Sequence, residues 1–472
     1  MKIEMKNLGQ IKNAFLEEKD LTVIVGDNGS GKTLLLEAKT FILNFYSKNV
    51  NEFIGDLNRK YSDHLGFETD WESVRKFIND NVLSISRDER PNYKFVLKIK
   101  LENDIRENIN NDIKTYFEKL KQQTINELNR EILMVDESNF DFNLFTNPVI
   151  SPLDSIECNL TLLDEHISFL EMTSDESEHF HVLFPIVNDS HSRELILNDS
   201  TDPEILKEKK EFYDPLNNMK NRLKRLFIGG FFRDITHSGD TLYLPSERNL
   251  FMDDALTKTL KESYDSRYSF ARNNSKIRFS EFLFNMAYLN YKDRLNRLEG
   301  LGHKPNPALE KMFGGKIIFD EEGDIKSIQK NDGTTIKREL FSTKQNRMIP
   351  YLILNTPFQH YSKLIIEEPE AHLSLKSIRE LLGYFKRLIK NNIKVTITTH
   401  SDVFFNHLNN FILKDKDLDT KVYELKFNGN QSFLEEKNKT ELGYEIDFFT
   451  EELNNLYEDT LSVQENSEQI EE

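Results

Sequence analysis

Eight residues near the N-terminus have the types and spacing of a phosphate cradle. Gly26, Asp27, Asn28, Gly29, Ser30, Gly31, Lys32 and Thr33 follow the order G-x-x-x-x-G-K-[ST]. Glycines let a backbone wrap an anion with successive N–H groups turned inward. A helix beginning at that point adds the partial positive charge of its N-terminus. In such a loop the lysine ammonium reaches the β- and γ-phosphates, and the hydroxyl of the last residue coordinates Mg2+. The expected ligands are therefore ATP and Mg2+, with Asp27 to Thr33 as the nucleotide-binding residues.

Mg2+ in a phosphate site also needs a carboxylate at the tip of a neighbouring strand. Glu367 follows the apolar run Leu364-Ile-Ile366 and suits that position, so Thr33 and Glu367 are the expected metal residues. Glu368 comes next and could take a proton from an attacking water as general base. Two adjacent carboxylates before a proline are costly at a strand end without a compensating cation or donor. His400 closes a third apolar run and faces the crevice where parallel sheets hold ligands. Glu368 and His400 are thus the expected catalytic pair of an ATPase.

The elements that must position these groups are legible around them. Leu21-Thr-Val-Ile-Val25 is a short β-branched run, read as a buried strand, and a helix begins at Leu34. Lys363–Ile366 and Ile393–Thr398 read as two more strands, with an amphipathic helix over Lys376 to Lys390 between them. Strand, helix, strand at this spacing predicts a parallel βαβ unit. A helix is also expected over Asn346–Leu354.

The middle reads differently. Residues 92–103 alternate as an exposed-face strand, 104–134 as an amphipathic helix, and 158–200 as strand-rich. Residues 203–227 predict a helix carrying Lys220, Arg222, Lys224 and Arg225. Residues 241–251 predict a strand ending in a polar turn, and 254–300 are mostly helical. His179 and His181 would share a strand face, with His191 further on, but a metal site needs a third ligand and its supporting shell. Asp415, Asp417 and Asp419 lack the glycine and terminal glutamate of a calcium loop and read as a solvated turn.

Composition narrows the classes. The chain has 472 residues, 35 of them Phe, which argues against disorder. A single cysteine, Cys158, excludes a disulfide framework and a cysteine-built zinc site. The N-terminus has no signal-like apolar stretch, and no run of about 18 apolar residues occurs, so a cytoplasmic protein with no membrane span is expected. The net charge of -18 argues against a generally basic nucleic-acid binder. Residues 451–472 hold eight acidic side chains and no Lys or Arg.

The order of these segments carries a resemblance. The cradle at 26–33, LIIEEPEAHL at 364–373 and TITTHSD at 396–402 resemble the ABC-type ATPase heads of the SMC and RecF class. More closely they resemble the overcoming-lysogenization-defect (OLD) superfamily, including stand-alone ATPases of antiphage systems of the PARIS and Septu kind. The resemblance covers roughly 1–45 and 335–450. It implies an α/β fold: an ABC-type P-loop ATPase head, a mixed sheet flanked by helices, split by a large α+β and helical insertion. The expected division of the chain is residues 1–103 with the P-loop, an insertion over 104–240, a strand and helical subdomain over 241–334, the remainder of the head over 335–450, and the acidic tail 451–472.

It also implies a head-to-tail homodimer with ATP sandwiched between subunits, and higher oligomers where insertions join dimers. Ser342, in Phe341-Ser-Thr-Lys-Gln345, stands where a signature residue would contact the partner's γ-phosphate, although Thr343 and Lys344 replace the usual glycines. An N-cap starting an ordinary helix is the alternative role for Ser342. Leu244-Pro-Ser-Glu-Arg248 resembles a turn that would bring Glu247 or Arg248 to Mg2+ or the nucleotide, an ordinary polar turn after a strand being the alternative. Only 72 residues follow His400, too few for the nuclease domain of full-length relatives. The implied function is an ATP-driven switch or scaffold in antiphage defence that senses infection, with a phage protein as a candidate trigger, and holds or releases a separate effector, expected to be a nuclease. The alternative is a DNA-maintenance ATPase of the RecF and SMC kind that grips duplex DNA through the basic run Lys207–Arg233.

Overall fold

The computed structural model describes residues 1–82, 92–146, 148–150, 155–163, 166–173, 181–185, 215–236, 240–247, 278–297, 307–320, 325–355 and 361–471. The chain divides into two compact units. One comprises Met1–Lys48, Lys121–Asn147 and Asp234–Glu472, and the other Asn49–Leu120 and Pro148–Arg233.

The first unit opens with β1 (Lys2–Leu8), β2 (Ile11–Glu17) and β3 (Leu21–Val25), after which α1 (Lys32–Tyr61) begins. β1 and β2 form a hairpin with Leu8 opposite Ile11. The second unit holds β4 (Gly66–Glu68) and β5 (Asn92–Lys100). The chain returns to the first unit at β6 (Asp141–Leu144), which pairs with β1. β7 (Ser155–Leu163), β8 (His166–Thr173) and β9 (His181–Pro185) complete an antiparallel sheet of the second unit, in the order β4-β5-β7-β8-β9.

β10 (Thr241–Leu244), β14 (Lys363–Glu367), β15 (Lys394–Thr399), β16 (Thr420–Phe427) and β17 (Ser432–Lys437) complete the main sheet. Its order is β10-β14-β15-β3-β16-β17-β2-β1-β6. The strands β10, β14, β15, β3 and β16 are parallel, and the β16–β17, β1–β2 and β1–β6 pairs are antiparallel. A separate three-stranded sheet contains β11 (Lys316–Phe319), β12 (Ile325–Gln329) and β13 (Thr335–Lys337). The main sheet with its flanking helices is the α/β head of ABC type anticipated from the sequence.

Burial explains the parallel half. β3 and β14 are buried at every residue, as strands covered on both faces must be. Leu21, Val23, Val25, Leu242, Leu244, Leu364, Ile366, Val395 and Ile397 pack in one core with Leu381, Phe385, Phe404 and Leu408 of two following helices. The first is Leu375–Lys390, capped at Ser374 by a bond from Ser377 N–H to its hydroxyl (3.3 Å). At about 25 cal/mol per Å2 of apolar surface, this core is the main term holding the head together.

Several expectations shift. The helix anticipated over 346–354 is an α-helix only over Thr343–Met348 and then a 3-10 turn over Ile349–Asn355, where Pro350 supplies no backbone donor. The amphipathic helix of 104–134 ends at Leu128 and continues as a π-helical turn, Asn129–Leu133. The helix anticipated over 203–227 spans Pro215–Gly230, and 203–214 lie outside the described residues. Within the stretch 254–300 expected to be mostly helical, a helix spans Phe279–Arg297, and 254–277 and 298–300 lie outside the described residues. The acidic segment is part of a helix, Asp447–Glu471, whose first turn is held by Glu424 accepting from Asp447 N–H (3.2 Å) and Phe448 N–H (2.8 Å). Asp415 and Asp419 pair with Lys386 and Lys19 at 2.7 and 2.9 Å.

Candidate functional site

The cradle sits where the middle of the sheet meets α1. Gly26 ends β3's approach against β16: a Cβ there would lie 2.7 Å from the Leu425 carbonyl oxygen, so only glycine fits. Gly31 turns the loop into α1 at φ +102°, a conformation that side chains rarely adopt. The Ser30 carbonyl accepts from the Ser432 hydroxyl (2.6 Å), and the buried Ser30 hydroxyl itself has no partner among the described residues. Asp27 orients the loop through its carboxylate, which accepts from Asn28 N–H at 2.6 Å.

Lys32 is nearly buried, and its ammonium donates to the carbonyls of Gly26 and Asp27, both at 2.8 Å. Burial pulls its pKa down, against the pull of Glu368, Asp27, Glu367 and Glu370 in the opposite direction. Thr33, one residue on, hydrogen-bonds to Glu367.

Strand register brings Glu367 there. Tyr243 on β10 lies opposite Ile365 on β14, so Glu367, two residues further, projects from the same face. The Tyr243 hydroxyl donates to Glu367 Oε1 at 2.6 Å, and Ser246 N–H donates to Oε2 at 3.3 Å. Burial still raises the Glu367 pKa, although bonds from Tyr243, Thr33 and Ser246 oppose it. Burial and the neighbouring Glu367 push the Tyr243 hydroxyl well above its ordinary value, so it stays a donor.

Glu368 is the next residue, with φ +45°. Its N–H continues the ladder to the Thr398 carbonyl (3.0 Å), and its Oε1 lies 3.1 Å from His400 Nδ1. The third carboxylate of the segment, Glu370, accepts from the Thr399 hydroxyl, which in turn accepts from Ser401 N–H at 3.0 Å. Burial raises the Glu370 pKa against that bond, and its Oε2 has no partner among the described residues.

These groups surround one cavity of about 500 Å3, lined by Asn28, Gly29, Gly31, Lys32, Thr33, Glu367, Glu368 and Thr398 among others. The structure thus brings the cradle, Glu367 and Glu368 together, with His400 joined through Glu368. It does not bring Ser342 to the cavity wall of its own chain. Ser342 is the N-cap of Thr343–Met348 in a reciprocal box with Gln345, the Ser342 N–H donating to Oε1 at 2.9 Å and Gln345 N–H to the hydroxyl at 3.3 Å. Lys344, in the place of a signature glycine, is tied to Glu380 at 2.8 Å.

Sequence reasoning passed over several lining residues. Glu37, one turn after Thr33 on the same helix face, accepts from Ser280 N–H (3.0 Å) and its hydroxyl (2.6 Å). Gln10, at the β1–β2 turn, donates to the Gly29 carbonyl. Arg278 and Phe279 also line the cavity, and no local pattern points to them. In the turn after β10 it is Ser246 that reaches the site. Glu247 is exposed, and Arg248 lies outside the described residues. Arg347, buried in the helix after Ser342, donates to the Ser246 carbonyl, so that helix and the Glu367 turn are directly bonded.

The donor set fits a magnesium-bound nucleotide. Glu367, Glu368 and Glu37 face one ammonium and one guanidinium, so a cation beside the phosphates would compensate the surplus of carboxylates. Among the described residues no cluster of three or more His, Cys, Asp or Glu could hold a metal alone. Mg2+ instead is characteristically held by one or two protein oxygens together with phosphates and water. His179 and His191 lie outside the described residues.

Sheet and site define a P-loop ATPase head of ABC type. Residues 1–405 match the AAA ATPase domain family, and the chain belongs to that family. No curated protein matches it. Among solved structures, the chain is similar to an Smc head domain with an extended coiled coil bound to the C-terminal domain of ScpA, from Pyrococcus furiosus. That similarity has 12% identity and a TM-score of 0.34, covering 97% of this chain and 98% of the other. The SMC head domain from Thermotoga maritima gives 10% identity and 0.31, over 93% and 98%. Among the described residues, no helix is long and apolar enough to cross a membrane.

Proposed function

We propose that this chain is an ATP-dependent switch that binds ATP with Mg2+ and hydrolyses it slowly. The observation that carries the reading is the meeting of Thr33 and Glu367 at one cavity wall, beside the Glu368–His400 pair. Lys32 and the loop N–H groups hold the β- and γ-phosphates, and Thr33 and Glu367 hold Mg2+, which supplies neutralisation of phosphate charge. Glu368 takes the proton of the water that attacks the γ-phosphorus, and His400 fixes the direction of that carboxylate.

Slow turnover follows from the signature region. Ser342 is to meet the γ-phosphate of a partner subunit in a head-to-tail homodimer, but Lys344 is held by Glu380 and no glycine loosens the turn. The antiphage setting, the phage-protein trigger and a separate nuclease effector rest on the resemblance of 26–33, 364–373 and 396–402 to the OLD-type ATPases. The basic helix Pro215–Gly230 lends little to a DNA grip, since Lys220 sits over the Trp71 ring and Lys224 donates to the Ser62 carbonyl.

Two variants test the reading. Lys32→Ala should abolish ATP binding by calorimetry. Glu368→Gln should bind ATP and accumulate as an ATP-held assembly on size exclusion, with phosphate release lowered by about 10^2–10^4-fold. Equal ATP affinity of Lys32→Ala and the wild type would sink the assignment.

A further inference from the structure

The cavity lining joins two chemistries. Gln10, Thr33, Glu37, Arg278, Glu367 and Glu368 bring polar groups, whereas Leu34, Ile132, Met134 and Phe279 are apolar. Leu34 lies by the hairpin tip and the π-helical turn: a Cβ on Gly9 would lie 3.0 Å from Leu34 and 3.9 Å from Leu133. Ile132 and Met134, from that turn, line the same cavity as the phosphate loop.

The turn is built to hold Met134 outward. Met134 has φ +54°, a left-handed conformation uncommon for a residue with a side chain, and its side chain is 70% exposed. The Asn129 carbonyl accepts from the N–H groups of both Met134 and Val135, the latter at 3.0 Å. The Asn129 side chain, buried, accepts from the Ser138 hydroxyl at 2.6 Å. A thioether that exposed has no packing reason to be braced there, whereas methionine adapts readily to flat aromatic surfaces. π-turns of this kind recur at functional positions.

We propose that Ile132 and Met134 form the wall against which the nucleobase of the bound nucleotide packs, while the phosphate loop, Thr33 and Glu367 take the phosphates and Mg2+. The inference rests on the ATP reading above and deepens it. A cavity of about 500 Å3 is of ligand size. The occupant follows from continuity: Ile132 and Met134 line the same cavity as the loop that takes the phosphates, within reach of the rest of the same molecule. Because Ile132 and Met134 side chains offer no hydrogen-bond donor, the wall reads the flat apolar faces of the base.

The experiment compares ATP with inorganic tripolyphosphate, each with Mg2+, by calorimetry on the full chain. Met134→Gly removes the side chain and suits the positive φ, so the fold is retained. ATP affinity should then fall by about tenfold, as loss of one buried apolar contact implies, with tripolyphosphate affinity unchanged. Ile132→Ala should act in the same direction. Equal weakening of both ligands, or unchanged ATP binding in Met134→Gly, overturns the proposal while leaving the phosphate site standing. Wild-type protein that binds neither ligand overturns the ATP reading and this inference together.

Discussion

Lys363, the first residue of β14, reaches Glu18 at 2.9 Å, and the same carboxylate is bonded from its other oxygen by Lys39 on α1. All three side chains are buried. Burial pushes the Glu18 carboxyl up, but Lys39 and Lys363 together hold it well below the usual carboxylate range. Burial pulls Lys39 down, and Glu18 restores it only in part, as expected when two ammonium groups share one carboxylate. The helix that begins at the phosphate loop, about two turns in, and the strand that ends in Glu367, at its start, are thus tied to one residue.

Glu18→Gln should therefore lower head stability by about 3–5 kcal/mol, since it strands two buried cations. A urea midpoint equal to the wild type's would contradict this. The sign with pH follows from the depressed value: the stabilisation is present above the ordinary carboxylate pKa and is lost as pH falls through the folded value.

Glu367 behaves in the opposite sense. Its raised pKa means that ionisation costs stability, and the cost grows as pH rises from the ordinary carboxylate value through the folded one. In metal chelator and without nucleotide, Glu367→Gln should melt higher than the wild type at pH 8. The gap should close toward pH 4. A gap that is constant across this range, or reversed, would show that burial of this carboxylate carries no such cost.

Ser342 has two roles to separate. As an N-cap alone, Ser342→Ala should cost about 1 kcal/mol, and Ser342→Asp, which also caps, should restore both stability and turnover. If the hydroxyl also meets a partner's γ-phosphate, Ser342→Asp restores stability but not phosphate release, because a carboxylate repels the phosphate. Melting temperature and phosphate release measured on both variants decide between them.

The parallel half of the head was legible because its signals are local. Leu21–Val25, the cradle, and the strand–helix–strand from Lys363 to Thr399 each announce themselves within a few residues. The other half is not legible in the sequence, although β1 alternates in burial as a half-covered strand does, because the strands that flank the β1–β2 hairpin, β6 beside β1 and β17 beside β2, lie far along the chain. The site divides in the same way. Lys32, Thr33, Glu367 and Glu368 follow from spacing, and Glu37 could have been found one helical turn beyond Thr33. Tyr243, Ser246 and Arg278 depend on which strand lies beside β14, which no short pattern encodes.

Glu368 precedes Pro369, and a residue in that position is sterically confined toward extended backbone. It nevertheless sits at φ +45°, where a non-glycine residue costs about 1–2 kcal/mol. Glycine would relieve the backbone and forfeit the carboxylate. The turn after β14 is in this sense a sighting device: conformational free energy goes into the bearing of one oxygen toward His400 and the cavity. A substitution that merely relaxed this bend would leave the acid in place and its line of fire lost.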